Sequence, residues 1–209
     1  METNKTKIQV NKNHYDFLKY VNKSRFISYY YQIKEIYLSN PKKILEIGTG
    51  NNFVKKICQN DFNYTTLDID KELNPDIIGS VLKIPKRENS FDFVLCCQVL
   101  EHLPFNDFEK ALNELARVST NDILLSLPYS RIGIKFQLKI PFIRTISILI
   151  RIPMFYKKYK FNGEHYWEIG TRGCSLRKIK KIVSKYFKIN KIIYPYENEY
   201  HVFFRLRKK

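Results

Sequence analysis

The run ILEIGTGNNF (Ile44–Phe53), followed after a short helical stretch by YTTLDID (Tyr64–Asp70), sets the architecture of this chain of 209 residues. The apolar stretch Ile44–Ile47 reads as a strand buried on both faces. Gly48 and Gly50 then make a tight turn at which a ligand can approach bare backbone. A second strand ends in Asp68, twenty positions after Gly48. In an open α/β sheet this spacing sets a glycine turn under a nucleotide and a carboxylate against its ribose hydroxyls.

Two residues decide against a dinucleotide. The dinucleotide fingerprint needs a small third residue for close helix–strand packing, and Phe53 stands there instead. Glu46, two residues before the first glycine, suits a ligand that carries a positive group such as an ammonium. Both carboxylates, Glu46 and Asp68, are expected to flank one crevice at the carboxyl edge of the sheet.

The pattern continues through DIIGSVLKIP (Asp76–Pro85), ENSFDFVLCCQVLEHLP (Glu88–Pro104), FEKALNELARV (Phe108–Val118) and DILLSLP (Asp122–Pro128). Over residues 43–128 the acid, glycine turn, second acid and following strands resemble the class I S-adenosylmethionine-dependent methyltransferases. The likeness is strongest to the branch related to quinone-biosynthesis methyltransferases. It implies an α/β, Rossmann-like fold: a seven-stranded, mostly parallel sheet with helices on both faces, an antiparallel last strand, and a basic apolar cap inserted after strand five. It also implies S-adenosyl-L-methionine as cofactor.

The same resemblance assigns roles. Glu46 would face the methionine ammonium, Gly48, Gly50 and Asn52 would form the turn around the methionine and ribose, and Asp68 would take both ribose hydroxyls. Ser80 and Val81 would line the adenine, although many relatives carry aspartate where this chain has Ser80. Cys97 and Gln98 would approach the sulfonium. His102, in the LEHLP turn, is a candidate catalytic residue, or else a capping histidine. His165 and Glu168 in GEHYWEIGTRG (Gly163–Gly173) are candidates for taking a proton from the acceptor. Trp167, the only tryptophan, either stacks on the acceptor or anchors the cap. His201 reads as structural, and His14 has no neighbours that suggest a ligand set. No spacing suggests a metal site.

The chain reads as one domain: an N-terminal helical region over 14–40, a cofactor core over 43–128, a cap insertion over 129–168, and a C-terminal helix with two strands over 175–209. Residues 1–13 are polar, without the apolar core of an export signal, and are expected to be loose. Asn40-Pro41 stops the first helix. Asn106 to Glu109 reads as a capping box for a helix whose apolar face is Phe108, Ala111, Leu112, Leu115 and Ala116. Ser175 caps a helix with Leu176, Ile179, Ile182 and Val183 on one side. KINKIIYPY (Lys188–Tyr196) and YHVFFRL (Tyr200–Leu206) read as the last two strands.

Cys58, Cys96, Cys97 and Cys174 form no CxxC pair, which fits buried thiols in a reducing compartment and a cytoplasmic location. The net charge is +17. That balance favours acidic partners, unless coding bias toward lysine accounts for it. From Ile123 to Gly163 there is no acidic residue. The cations of 131–160 alternate with apolar residues, a composition that serves a substrate cap, a cap that also touches lipid at the membrane periphery, or a partner-binding element. The acceptor is expected to be a small molecule, a saccharide or a lipid-linked molecule, methylated at a hydroxyl. The alternatives are a nucleic-acid methyltransferase and a non-catalytic scaffold. Cys96-Cys97-Gln98-Val99 stands where enzymes acting on exocyclic base amines carry Asn- or Asp-Pro-Pro-aromatic, which counts against that subclass.

Overall fold

A computed structural model describes residues 8–142 and 144–209. One sheet dominates it. The strands are β1 (Lys43–Ile47), β2 (Asn63–Asp68), β3 (Ile77–Ile78), β4 (Phe91–Cys97), β5 (Ser119–Pro128), β8 (Phe187–Ile193) and β9 (His201–Lys208), in the order β3-β2-β1-β4-β5-β9-β8. β1 to β5 pair in parallel, and β9 slides between β5 and β8, antiparallel to both. This is the expected Rossmann-like sheet, with the last strand in chain order reversed. β1 and β4 sit at its centre, so Ile44, Leu45, Val94 and Leu95 are fully buried and their strands read as unbroken apolar runs.

Helices cover both faces. On one lie α1 (Phe17–Tyr20), α2 (Lys23–Ser39) and α3 (Phe53–Cys58). The side chain of Asn22 caps α2 by accepting the Arg25 N–H, and Asn40 ends it in the left-handed conformation ahead of Pro41. Tyr29 and Ile36 are buried against the sheet and Ile33 partly so. Phe53 stacks on Tyr29 with ring centroids 4.8 Å apart, so its bulk fills the α2–α3 seam.

α4 (Phe108–Val118) and α5 (Leu176–Tyr186) cover the other face. Phe108, Ala111, Leu112 and Leu115 are buried, with Ala116 packed beside them. Ser175 accepts the Lys178 N–H, and Ile179 and Val183 are buried. The capping box at Asn106–Glu109 does not form. A 3-10 turn over Phe105–Asp107 leads into α4, whose N-cap Asp107 makes no side-chain cap bond. Glu109 instead takes Lys185 Nζ at 2.7 Å and the Tyr186 hydroxyl at 3.2 Å, tying α4 to α5.

After β5 the chain leaves the sheet as a two-stranded antiparallel hairpin, β6 (Arg131–Leu138) and β7 (Ile146–Pro153). Ile132, Ile134, Phe136 and Leu138 stand opposite Ile152, Ile150, Ile148 and Ile146 on one face, each 42–56% exposed. The other face meets the β8–β9 connection: Arg151 lies over the Tyr194 ring and Lys135 pairs with Glu199. A Cβ at Gly133 would overlap the Glu199 carboxylate, so that side chain would have to swing aside. Among the described residues no helix is long and apolar enough to cross a membrane.

Candidate active site at the carboxyl edge of the sheet

Two adjoining cavities open where β1, β2 and β4 end. The first is lined by Gly48, Gly50, Asp68, Gly79, Ser80, Val81, Cys97, Gln98 and His102, and the second by Arg25, Glu46, Thr49, Asn51 and His201. Tyr20, Ile47, Gly48, Gly50, Cys97 and Gln98 line both. The single crevice expected between the two carboxylates is thus divided. Tyr20 and the glycine turn form the partition, with Glu46 on one side and Asp68 on the other.

Asp68 is held in place by backbone. Its Oδ2 accepts the Thr49 N–H at 2.8 Å and its Oδ1 the Asp70 N–H at 2.9 Å, leaving further lone pairs toward the cavity. Burial raises its pKa, and the backbone donors pull against that rise. Glu46 is more deeply buried. It accepts one bond from the Tyr64 hydroxyl at 3.1 Å, and burial pushes its pKa up to about 8. A cation brought beside such a carboxyl would favour its ionised form. Thr49 Oγ1 and Asn51 Nδ2, both in the wall of that lobe, are buried without a hydrogen-bond partner. Native proteins leave few such groups, and their presence fits a polar ligand.

Asn52 lines neither cavity. It takes the left-handed conformation at φ 58° and turns its amide to the Leu73 carbonyl at 3.1 Å, while its neighbour Asn51 lines the cavity. Ser80 accepts the Leu82 N–H and lies with Gly79 and Val81 in the wall beyond Asp68.

The three candidate catalytic residues meet. The rings of His102 and His165 lie edge to face with centroids 4.9 Å apart, and His165 Nδ1 is 3.2 Å from Glu168 Oε1. Only His102 lines a cavity; His165 and Glu168 stand behind it. Burial, reinforced by the nearby His165, lowers the His102 pKa to about 4. Glu168 also accepts the Tyr159 and Tyr200 hydroxyls at 3.0 and 2.5 Å. Burial alone would push His165 down and Glu168 up, but their mutual bond wins: His165 is raised and Glu168 lowered.

Trp167 does not present its ring to an acceptor. It is buried, donates Nε1–H to the Leu103 carbonyl at 3.0 Å, and packs edgewise on Phe105 and Phe108. None of 131–160 lines either cavity. The chain returns over the site only near Glu164, whose carbonyl reaches His102 Nδ1 at 3.0 Å. His201 is buried with Nδ1 on the Ser28 hydroxyl, but it also lines the Glu46 lobe.

Sequence reading missed Arg25 and the segment Ile8–Val10. Arg25 donates to the Tyr20 hydroxyl at 2.7 Å and puts a cation in the wall of the Glu46 lobe. The signal was present in α2, where the polar residues Ser28, Gln32 and Glu35 lie on the buried stripe. Residues 8–13 were expected to be loose, yet Ile8, Gln9 and Val10 close the first cavity, and Gln9 bonds both the His102 ring and its carbonyl. The rest of that expectation falls on residues 1–7, outside the described residues.

Comparison with known proteins places this geometry. A family model described as "Methyltransferase domain" matches residues 45–125. The uncharacterized protein MJ0638 of Methanocaldococcus jannaschii is 35% identical over 85 residues, covering 37% of this chain and 36% of that protein, so the match spans about a third of the relative. Among solved structures, the N-methyltransferase NodS of Bradyrhizobium japonicum, crystallised with S-adenosyl-L-homocysteine, superposes with a TM-score of 0.61 at 11% identity, covering 90% of this chain and 88% of that one. The PH0226 protein of Pyrococcus horikoshii gives a TM-score of 0.59 at 11% identity, covering 96% and 100%. At such identities the structural likeness speaks for the fold, and the domain match over residues 45–125 lies on the strands and turns that build the two cavities. Residues 45–125 therefore carry the likeness to a methyltransferase domain, on a fold shared with solved S-adenosylmethionine-dependent methyltransferases.

Proposed function

We propose that the chain transfers the methyl group of S-adenosylmethionine to a hydroxyl oxygen of a small-molecule, saccharide or lipid-linked acceptor. The observation that carries this reading is the divided crevice: a glycine turn with a buried, under-partnered carboxyl on one side and a backbone-braced carboxylate on the other. The zwitterionic methionine end suits the lobe holding Glu46 for its ammonium and Arg25 for its carboxylate, with Thr49 and Asn51 supplying the unpaired polar atoms. The ribose suits Asp68, and the adenine the wall at Gly79–Val81. The sulfonium then falls near Cys97 and Gln98, which line both lobes.

Methyl transfer from a sulfonium needs little beyond alignment, and positioning alone supplies roughly 7–11 kcal/mol. A hydroxyl acceptor must also lose a proton. His102 is the member of the Glu101–His102–His165–Glu168 cluster that faces the cavity; its depressed pKa keeps the ring neutral, so it can accept a hydrogen bond from the hydroxyl and orient it, as a weak base.

Titration with S-adenosylhomocysteine tests the reading; no heat or fluorescence change at millimolar ligand removes it. The same titration carries a pH signature. Glu46, at about 8, is protonated in the free chain at neutral pH, and an ammonium partner needs it ionised. Binding therefore expels a proton, and affinity should rise about tenfold per pH unit below pH 8 and level off above it. In the free chain the sign is opposite. Stability from this group is full below the ordinary 4.5 and falls as pH rises toward 8. Glu46→Gln should flatten the binding profile; a profile already flat in the native chain removes Glu46 from the ammonium site.

The lipid-linked form of the acceptor draws on the hairpin. One face presents eight exposed apolar side chains, while Lys135, Lys139, Arg144, Lys157, Lys158 and Lys160 lie in the same acid-free segment. We place this face on an anionic membrane surface, where each nearby cation adds about 1 kcal/mol. The native chain should sediment with phosphatidylglycerol vesicles, less so with phosphatidylcholine or at high salt. Ile134→Glu with Ile150→Glu, a cross-strand pair, should abolish it. Equal sedimentation of native and double variant would turn the reading toward a soluble acceptor.

A further inference from the structure

Behind the cavity wall Glu101, His102 and His165 bring one donor atom each within 4.8 Å of one another. These residues come from two places in the chain: the turn after β4 and the return from the hairpin. Their surroundings settle which atoms are available. His102 Nδ1 faces only oxygen acceptors, Gln9 Oε1 at 2.7 Å and the Glu164 carbonyl at 3.0 Å. The Gln9 amide is oriented by its own bond to the His102 carbonyl, so its oxygen points at the ring. His165 Nδ1 faces Glu168 Oε1 at 3.2 Å and the Tyr200 oxygen at 3.4 Å, and that hydroxyl already gives its proton to Glu168. Each Nδ1 therefore carries the ring proton. Nε2 is the ring nitrogen left over on each histidine, and on His165, paired with Glu168, it becomes a ligand as the metal displaces its proton.

Glu101 supplies the third donor. It is fully buried, and its Oε2 has no hydrogen-bond partner. A buried carboxylate oxygen without a donor is costly, so the fold keeps it there against a penalty that a bound cation would lift. Two imidazoles and one carboxylate on one side of an ion, with positions left open, form a set suited to first-row transition metals. The outer partners match as well. Metal-bound histidines give their second ring N–H to a carboxylate or a backbone carbonyl, as His165 does to Glu168 and His102 to Glu164.

We propose that Glu101, His102 and His165 bind one divalent transition-metal ion at the wall of the cavity. His102, which lines that cavity, would present the ion's open positions to the acceptor's oxygen atoms. This purpose rests on the methyl-transfer reading above; the site itself rests on the side chains alone. With the ion bound, the His102 lone pair is occupied, and acidification of the acceptor hydroxyl passes to the metal.

Protein treated with a chelator, then freed of it, is titrated with Co2+ and followed by visible absorption. The expected result is saturable binding of one equivalent in the micromolar range. Glu101→Gln and His165→Ala should each weaken it more than about tenfold, and Glu168→Gln, which only orients His165, by about tenfold. S-adenosylhomocysteine titration of the same samples reports whether each variant is folded and separates failure of the metal site from failure of the cofactor reading. No saturable spectrum at millimolar Co2+ in the native chain overturns the proposal. So does unchanged Co2+ affinity in Glu168→Gln and Glu101→Gln.

Discussion

Replacing Asp68 with alanine should weaken S-adenosylhomocysteine binding by roughly two to four orders of magnitude. Each Asp68 oxygen already accepts one backbone N–H, from Thr49 and Asp70, and keeps room for one more donor. Two ribose hydroxyls would fill those places. Charge-assisted bonds of this kind are worth about 1.5–3 kcal/mol each, and 1.4 kcal/mol is a factor of ten. The substitution also frees two turn N–H groups, so part of the loss will be structural. A ligand comparison separates the two contributions. The native chain should prefer S-adenosylhomocysteine over its 2′-deoxy analogue by about tenfold or more, because the deoxy compound forfeits one such bond. Asp68→Asn, which retains one carbonyl oxygen, should lose most of that preference while still binding. If the native chain shows no preference, the ribose is not at Asp68.

Much of this site was legible because it is local. Ile44 to Gly50 and Leu67 to Asp70 are short runs in which burial, turn and acid follow one another, and central parallel strands leave an uninterrupted apolar signature. The reversed strand β9 was legible for the same reason, as YHVFFRL is apolar along the run that β5 and β8 enclose. What stayed hidden depends on elements far apart in the chain. Arg25 and Gln9 reach the cavities from the N-terminal region, and no spacing relates them to Gly48 or His102. Glu101, His102 and His165 converge across more than sixty residues, which is why no metal spacing was seen.

The hairpin is a different case. Its alternation at Ile132, Ile134, Phe136 and Leu138, and again at Ile146 through Ile152, has the period of two that marks strands. The basic charge drew attention to a cap, and the period was the more informative feature. Trp167 shows the opposite lesson. A lone tryptophan beside His165 and Glu168 invites a ligand role, yet its indole N–H is bound to Leu103 and its faces to Phe105 and Phe108. Shielding of this kind depends on α4, and the residues around Trp167 do not report it.

Gly48→Ala should be the most damaging single methyl group that can be added to the chain's glycine turn. Gly48 sits at φ +82°, and a Cβ there would lie 2.5 Å from Val99 Cγ2. The left-handed backbone costs an alanine about 1–2 kcal/mol. The overlap adds about 1–3 kcal/mol, because Val99 cannot withdraw freely. It follows Gln98, itself left-handed at φ 58° and tied by its N–H to the Ser126 carbonyl. Gly48 is fixed in turn by its N–H on the Leu67 carbonyl at 2.9 Å. Gly50→Ala meets only the Tyr15 ring at an ordinary 3.8 Å and should pay the backbone cost alone. For a domain of this size 1 kcal/mol is about 2–4 °C, so Gly48→Ala should lower Tm by roughly 5–15 °C and Gly50→Ala by a few degrees. Val99→Ala in the Gly48→Ala background should restore the steric part and leave the backbone part, a coupling that a cycle of the two single variants and the double variant measures. Equal Tm losses for the two glycine variants, or no coupling with Val99, would mean that the turn after β1 and the turn carrying Gln98 and His102 are not interlocked. If they are, the same contact that makes Gly48 irreplaceable also sets how far His102 stands from the methyl group.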